Sequence, residues 1–274
     1  VLAHALKGLT LFVRLKPSQL EIADPEADDW KLVKAAFDEG VRGQKDAHLG
    51  RAALVRALAG SRPSARKEAV VAGELAVKTE PKNAWAHFAL ARAKALSEEE
   101  TGSGVRTALD AAIRLDPKVA CFWSERGIVK RNEADLDGAL DDAAKAIALD
   151  AKDPTAWFVK ALVLHDRRKW TESLAAASTL LELDENHRLG SWLVGDGLLE
   201  TNGDVNEALK HLNYAVGLTN SFFPAIRSLV RALVKADNAA MAHTVLENYL
   251  TRMPKSAPFR KEAEELRDGL PLKK

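Results

Sequence analysis

The stretch AIRLDP (Ala112–Pro117) reads as the end of a helix followed by a stop. Proline cannot continue a helix, and it disfavours helix in the residue before it. The same block, whole or as a relic, returns along the chain. It reads AVKTEP at Ala76–Pro81, AIALDA at Ala146–Ala151, LLELDE at Leu180–Glu185, AVGLTN at Ala215–Asn220 and YLTRMP at Tyr249–Pro254. The last residues of the six blocks are 36, 34, 34, 35 and 34 apart. A fixed period of this length means one supersecondary unit copied and stacked.

Two further markers keep the phase. Trp123 and Trp157 are 34 apart, and Trp192 follows 35 later; Ala139, Ser173, Ala208 and Ala242 step by 34, 35 and 34. A small residue early in the second helix lets two antiparallel helices approach closely, with an aromatic wedged near the front of the first. These positions resemble the tetratricopeptide repeat family, whose pattern is an aromatic, a Leu-Gly pair and a bulky residue on helix A, a small residue on helix B, and a terminal proline. Residues 120–153 match best, through Trp123, Gly127, Ala139, Ala143, Ala146 and Asp150. The resemblance covers roughly residues 44–268 and implies an all-α fold, a right-handed helical-hairpin repeat solenoid. There are departures: the final proline is missing at Ala151, Glu185 and Asn220, and the Gly-x-Gly of Gly195–Gly197 disturbs the fifth unit.

With 274 residues, 47% hydrophobic and 29% charged, the chain has the composition of a folded soluble protein, not a disordered one. Its net charge of +1 gives no global reason to expect nucleic acid or an anionic membrane as partner. The charge is zoned. Residues 41–97 carry eleven Lys/Arg against four Asp/Glu, whereas residues 98–153 carry eight against thirteen. Such zones could steer a partner or merely solvate outer faces. Cys121 is the single cysteine, which rules out an intramolecular disulfide and a thiolate metal cage. No span reaches the ~20 apolar residues of a membrane helix. The chain opens on valine, which reads as a processed or partial product, so a missing targeting segment is uninformative. Cytoplasmic and periplasmic locations stay open, and the alanine- and arginine-rich composition leans toward a bacterial source.

Residues 1–43 read as a leading helical segment and linker, with a helix over 30–39 ended by Gly40 and Gly43. About six hairpins occupy 44–256, with second helices expected at 65–79, 137–149, 206–217 and 239–252. Residues 257–274 form a closing helix and tail, whose Lys261, Glu262, Glu264 and Glu265 suit the polar outer face that an array needs at its end.

No catalytic constellation stands out. The seven histidines are scattered, without a His-x-x-x-His pair, and no nucleotide-binding loop or nucleophile elbow appears. No cofactor or metal is expected. Glu133-x-Asp135-x-Asp137-Gly138 mimics half a calcium loop, but the twelfth position, which needs a bidentate carboxylate, is Ala144. Helix capping explains these acids.

The resemblance implies that helix A of each unit lines a concave groove through its second, fifth, ninth and twelfth residues, a spacing that defines one helical face. Carried onto this chain, the groove comprises Trp85, Phe88 and Arg92; Cys121, Ser124, Ile128 and Arg131; Thr155, Phe158, Leu162 and His165; and Arg227 and Arg231. The fifth unit is ambiguous by one residue, because its extra residue could precede or follow Trp192. The expected wall is apolar in the middle with arginines at intervals, suited to an extended peptide or partner helix bearing carboxylates. Packing of Phe88 and Phe158 against the next repeat, or occupation of the groove by residues 1–20, is the competing reading. The pairs that clamp C-terminal carboxylates in some family members are absent here. The sequence therefore predicts a non-catalytic adaptor or scaffold that binds a protein or peptide. A recruiting module of a larger enzyme, or a structural subunit of an envelope assembly such as a pilus or secretion machine, are the alternatives; the oligomeric state is not fixed.

Overall fold

The computed structural model describes residues 66–97, 102–217 and 222–271. The expected leading helical segment, the linker, the helix over 30–39 and the opening part of the first expected hairpin, from 44 to 65, lie outside these residues. All regular structure among the described residues is helical. The helices are α1 (Arg66–Thr79), α2 (Ala84–Ala95), α3 (Gly102–Leu115), α4 (Ala120–Asn132), α5 (Leu136–Leu149), α6 (Pro154–Asp166), α7 (Trp170–Leu183), α8 (Arg188–Glu200), α9 (Val205–Val216), α10 (Phe223–Lys235), α11 (Ala239–Arg252) and α12 (Arg260–Asp268). The chain divides into two compact units, residues 1–160 and 161–274, with the boundary inside α6.

Within each unit, neighbours in sequence pack on each other. In the first, α1, α2, α3, α4 and α5 pack pairwise in order; in the second, α7 to α12 do the same. The small helix-B positions sit at the closest approaches. Ala139 and Ala208 are fully buried, and Ser173 Oγ donates to the Ala161 carbonyl at 2.8 Å. Facing them on helix A, a Cβ added at Gly127 would meet Ala139 O at 3.4 Å. One added at Gly195 would meet Leu212 Cγ at 2.5 Å. Gly195 is thus the crossing point of its hairpin, spaced 34 from Ala161 as Ala161 is from Gly127. The expected disturbance at Gly195–Gly197 is instead close packing: Gly197 lies against Leu174 of α7.

The turns inside the hairpins close alike. Ala134, Arg168, Asn202 and Asp237 all have φ between 55° and 63°. In the first of these turns, Asp135 N donates to Lys130 O at 2.8 Å and Ala134 N to Arg131 O at 3.0 Å; the same pair of bonds recurs at 168–169, 202–203 and 237–238. This is the Schellman ending, in which a left-handed residue after the helix satisfies its last carbonyls. The next helix is then capped by a side chain: Asp135 accepts from Gly138 N, Asp204 from Asn206 N, and Asn238 from Met241 N. Asp135 therefore serves as a cap, as the sequence suggested.

After α5 and α7, which lack the proline, the helix ends where an aspartate leaves the helical region. Asp150 has φ −146° and ψ 101°, Asp184 φ −140° and ψ 85°. Asp116 and Asp150 each accept from the backbone two residues on, at 3.1 and 2.9 Å. The aspartate makes the stop, which is why Ala151 and Glu185 can replace proline. The closing helix begins at Arg260, three residues later than expected, because Pro258 precedes Phe259 in the left-handed region (φ 69°). Phe259 stacks on Phe223 at 5.3 Å, and Arg260 Nη1 donates to the carbonyls of Leu250 and Met253.

Candidate functional site

The register of the fifth hairpin decides what its first helix presents. The first helices begin at Ala120, Pro154 and Arg188, two steps of 34. The turns after α4, α6 and α10 have three residues, whereas Thr201–Asp204 has four. The extra residue therefore follows Trp192. Of the two registers left open, Trp192 takes the fifth position of its helix, and Asp196 takes the ninth. The environments agree. Trp123 and Trp157 are half-buried and donate Nε1–H to the carbonyls of Pro117 and Ala151, six residues back, at 2.9 and 3.0 Å. Trp192 is buried and points Nε1 at Ser228 Oγ, 3.3 Å away.

In the second unit these residues form one network. His165 Nε2 donates to Asp196 Oδ2 at 3.0 Å, and Ser228 Oγ donates to Asp196 Oδ1 at 2.5 Å. Arg231 reaches Asp196 Oδ1 at 3.4 Å and Glu200 Oε1 at 2.6 Å. The His165 ring lies 4.7 Å from Trp192 and 5.1 Å from Trp170, and Trp192 meets Phe222 edge-on at 5.1 Å. Burial works to raise the Asp196 pKa. The hydrogen bonds from His165 and Ser228, with the charges of His165 and Arg231, outweigh it and hold the carboxyl below its ordinary value. Asp196 is thus an anion at neutral pH, tying α6, α8 and α10 together. Ser228 and His165 both spend their hydrogen bonds on Asp196, which is not the relay of a hydrolase, where the imidazole must face the hydroxyl. Of the groove residues expected here, Leu162 and His165 are half-buried, and Arg227 and Arg231 remain exposed. Arg227 pairs with Glu262 of α12 at 3.3 Å.

In the first unit the fifth position also turns inward. Phe88 is 1% exposed, with its ring 5.0 Å from that of Phe122 in the next hairpin, and Trp85 meets both edge-on. Ser124 and Phe158 are buried as well. Cys121 sits beside them, partly buried; burial, then the charges of Asp153 and Glu125, push its thiol well above the ordinary value, so it stays protonated at neutral pH. The ninth position differs. Arg92 and Ile128 line an open crevice of about 570 Å3 among α2, α3 and α4, together with the buried Val105 and Leu109 and the exposed Ala95. Arg92 Nη1 donates to Glu125 Oε1 at 2.7 Å, while Arg92 Nε is buried without a hydrogen-bond partner. Arg131, one turn beyond Ile128, is half-buried and reaches Asn132 at 3.4 Å; Thr155 is half-buried at the start of α6.

Nearby, Arg126 forks onto Asp142 with two bonds of 2.7 Å, reaches Asp110 at 2.7 Å and lies 4.9 Å over Trp123; Lys130 joins Asp142 at 3.1 Å. The Asp142 hydrogen bond, with help from Asp110, raises the Arg126 pKa despite desolvation. These pairs bind α3, α4 and α5 to one another. Among the described residues no group of three or more His, Cys, Asp or Glu could hold a metal ion, and no helix is long and apolar enough to cross a membrane.

No family model and no curated protein matches the chain. Solved structures do. A chain of the APC/C hetero-tetramer Cut9–Hcn1 superposes with a TM-score of 0.70 at 17% identity, over 96% of this chain and 54% of that one. This chain thus spans about half the length of that relative. PilF of Pseudomonas aeruginosa gives 0.65 at 16% identity, covering 79% of this chain and 97% of its own. YrrB, a TPR protein with an unusual peptide-binding site, gives 0.51 at 18%, covering 70% and 97%. The fold is that of the tetratricopeptide repeat.

In tetratricopeptide terms, the ninth helix-A positions are Arg92 and Ile128 in the first unit and Leu162, Asp196 and Arg231 in the second; the sequence spacing named all of these except Asp196, and it did not name Trp192 at the fifth position of the same helix. The step of 34 from Gly127 through Ala161 to Gly195 would have found them, since a glycine at the helix crossing marks register more strictly than a tryptophan.

Proposed function

We propose that this chain is a non-catalytic tetratricopeptide-repeat scaffold, reading as an array over residues 44–256 closed by 257–274, that binds a protein segment on the helix-A faces. The observation that carries the reading is the crevice at the ninth position of the first unit, where Arg92 and Ile128 border open space while fifth-position side chains close the core. The polar side chains of the second unit support it from the other side. His165, Asp196, Ser228 and Arg231 bond to one another, leaving no nucleophile poised against a base. Apolar side chains bordered by charged and polar ones, here Arg92, Lys94, Glu125 and Glu133, are the make-up of a recognition surface.

Photo-crosslinking tests this. A benzophenone amino acid placed singly at Arg131, Leu162 or Arg231, in the organism that makes the protein, is expected to capture the same partner. The same probe at the exposed helix-B positions Lys145, Glu182 or Lys210 is expected to capture none of it. Equal capture from both faces would sink the assignment.

A further inference from the structure

Resting on that reading, we infer that the crevice among α2, α3 and α4 is a specificity subsite for a partner segment carrying an aliphatic side chain close to an aspartate or glutamate. The floor selects the first part. Ala95, Val105, Leu109 and Ile128 offer hydrocarbon and no hydrogen-bonding group, and the alanines of α2 leave the space that larger residues would fill. Aliphatic carbon gains by entering and a polar side chain loses its water there.

Arg92 selects the second part. Its guanidinium is bound through Nη1 to a single oxygen of Glu125, while Nε is buried with no acceptor. A buried donor left unsatisfied is uncommon in folded proteins and calls for a partner. A planar guanidinium pairs best with a carboxylate that engages two of its N–H groups at once. Glu125 does not supply that here. A partner carboxylate arriving at the rim, with the guanidinium turning to meet it, completes the pairing. The rim also carries Lys94 and Glu133, the latter held by Arg106 at 2.6 Å. Glu125 meets the charge of Arg92 with one oxygen, so what the crevice lacks is a second acceptor able to engage the Nε edge of that guanidinium. A nucleic acid or free phosphate would satisfy Arg92 and leave the hydrocarbon floor wet, so the chemistry favours a peptide.

The test uses the whole chain and a random library of displayed peptides of about twelve residues, enough to cross one hairpin face. Enriched peptides, made with a fluorescent label, are measured by anisotropy. Expected are sequences with Leu, Ile, Val or Met within four residues of Asp or Glu, weakened about tenfold or more when the acid becomes its amide. Arg92→Met and Ile128→Asp should weaken them similarly, and Lys145→Ala on the outer face should not. Reversal makes the decisive arm: Arg92→Glu should bind the peptide whose acid is replaced by lysine better than it binds the parent, a recovery that a misfolded variant cannot produce. Peptides that enrich without an acid, or that bind Arg92→Met as well as the parent protein, overturn this subsite and leave the proposed function standing. Enriched peptides insensitive to every helix-A substitution overturn both. A concentration-dependent dimer abolished by Ile128→Asp would make a second copy of the chain the occupant and overturn the peptide assignment.

Discussion

Removing the carboxylate of Asp196 should loosen the second unit more than any surface substitution. The side chain is 8% exposed and accepts from His165 at 3.0 Å and Ser228 at 2.5 Å, with Arg231 at 3.4 Å. A hydrogen bond to a charged group contributes about 1.5–3 kcal/mol net, and two such bonds are lost in Asp196→Ala. Part of this returns, because the carboxylate no longer has to be desolvated. Arg231, whose side chain is 43% exposed, keeps Glu200 at 2.6 Å and is not stranded. The net expectation is a loss of about 2–3 kcal/mol, with Asp196→Asn at roughly half of it because the amide oxygen still accepts one bond. Repeat arrays need not unfold in one step, so the assay should be local. Hydrogen exchange of the α8 and α10 amides should accelerate roughly 30- to 140-fold, the equivalent of that loss. The sign with pH follows from the depressed pKa. The contribution is fully present above the unfolded carboxyl value and disappears as pH falls through the folded value, below 3.8. A change of less than about 1 kcal/mol at neutral pH, or one that persists undiminished in acid, would refute the reasoning.

Two further outcomes follow from the hairpins. Ala134→Gly should stabilise by about 0.5–1 kcal/mol, because left-handed backbone costs a non-glycine residue about 1–2 kcal/mol and glycine's extra unfolded freedom offsets part of that. The control Ala144→Gly, in the exposed part of α5, should lose about 1 kcal/mol by urea titration; the same sign at both positions would discount the turn. Gly195→Ala should destabilise by about 1–2 kcal/mol despite better helix propensity, since its methyl would meet Leu212 Cγ at 2.5 Å, and the companion Leu212→Ala should relieve the clash in a double-mutant cycle.

The helix pairs were legible because their signals are local: caps such as Asp135 and Asp204, and the leucine-aspartate stops at Asp116 and Asp150. What lay beyond reading was conformation and direction. Nothing in Ala134, Arg168 or Asp237 announces a left-handed residue; only their common distance from the helix start does, and that start is set by the fold. The exposure of the expected helix-A positions was half legible. The ninth positions Arg92 and Ile128 were named as surface and border the crevice, whereas Phe88, Ser124 and Phe158 were named with them and lie buried. A helical face defined by spacing is about two residues wide, and which edge of it meets the neighbouring repeat depends on crossing geometry that one sequence does not encode. Asp196 escaped because a single inserted residue left two registers for the fifth unit, and the tryptophan spacing alone does not choose between them.

That insertion sits just past Asn202, after the two backbone bonds that finish α8 have been made. The ending of one helix and the beginning of the next are thus mechanically uncoupled at this bend. Added length there shifts only what comes after, so such bends are the places where a modular chain can drift in size, or accept a grafted epitope or label, without disturbing the helix already completed.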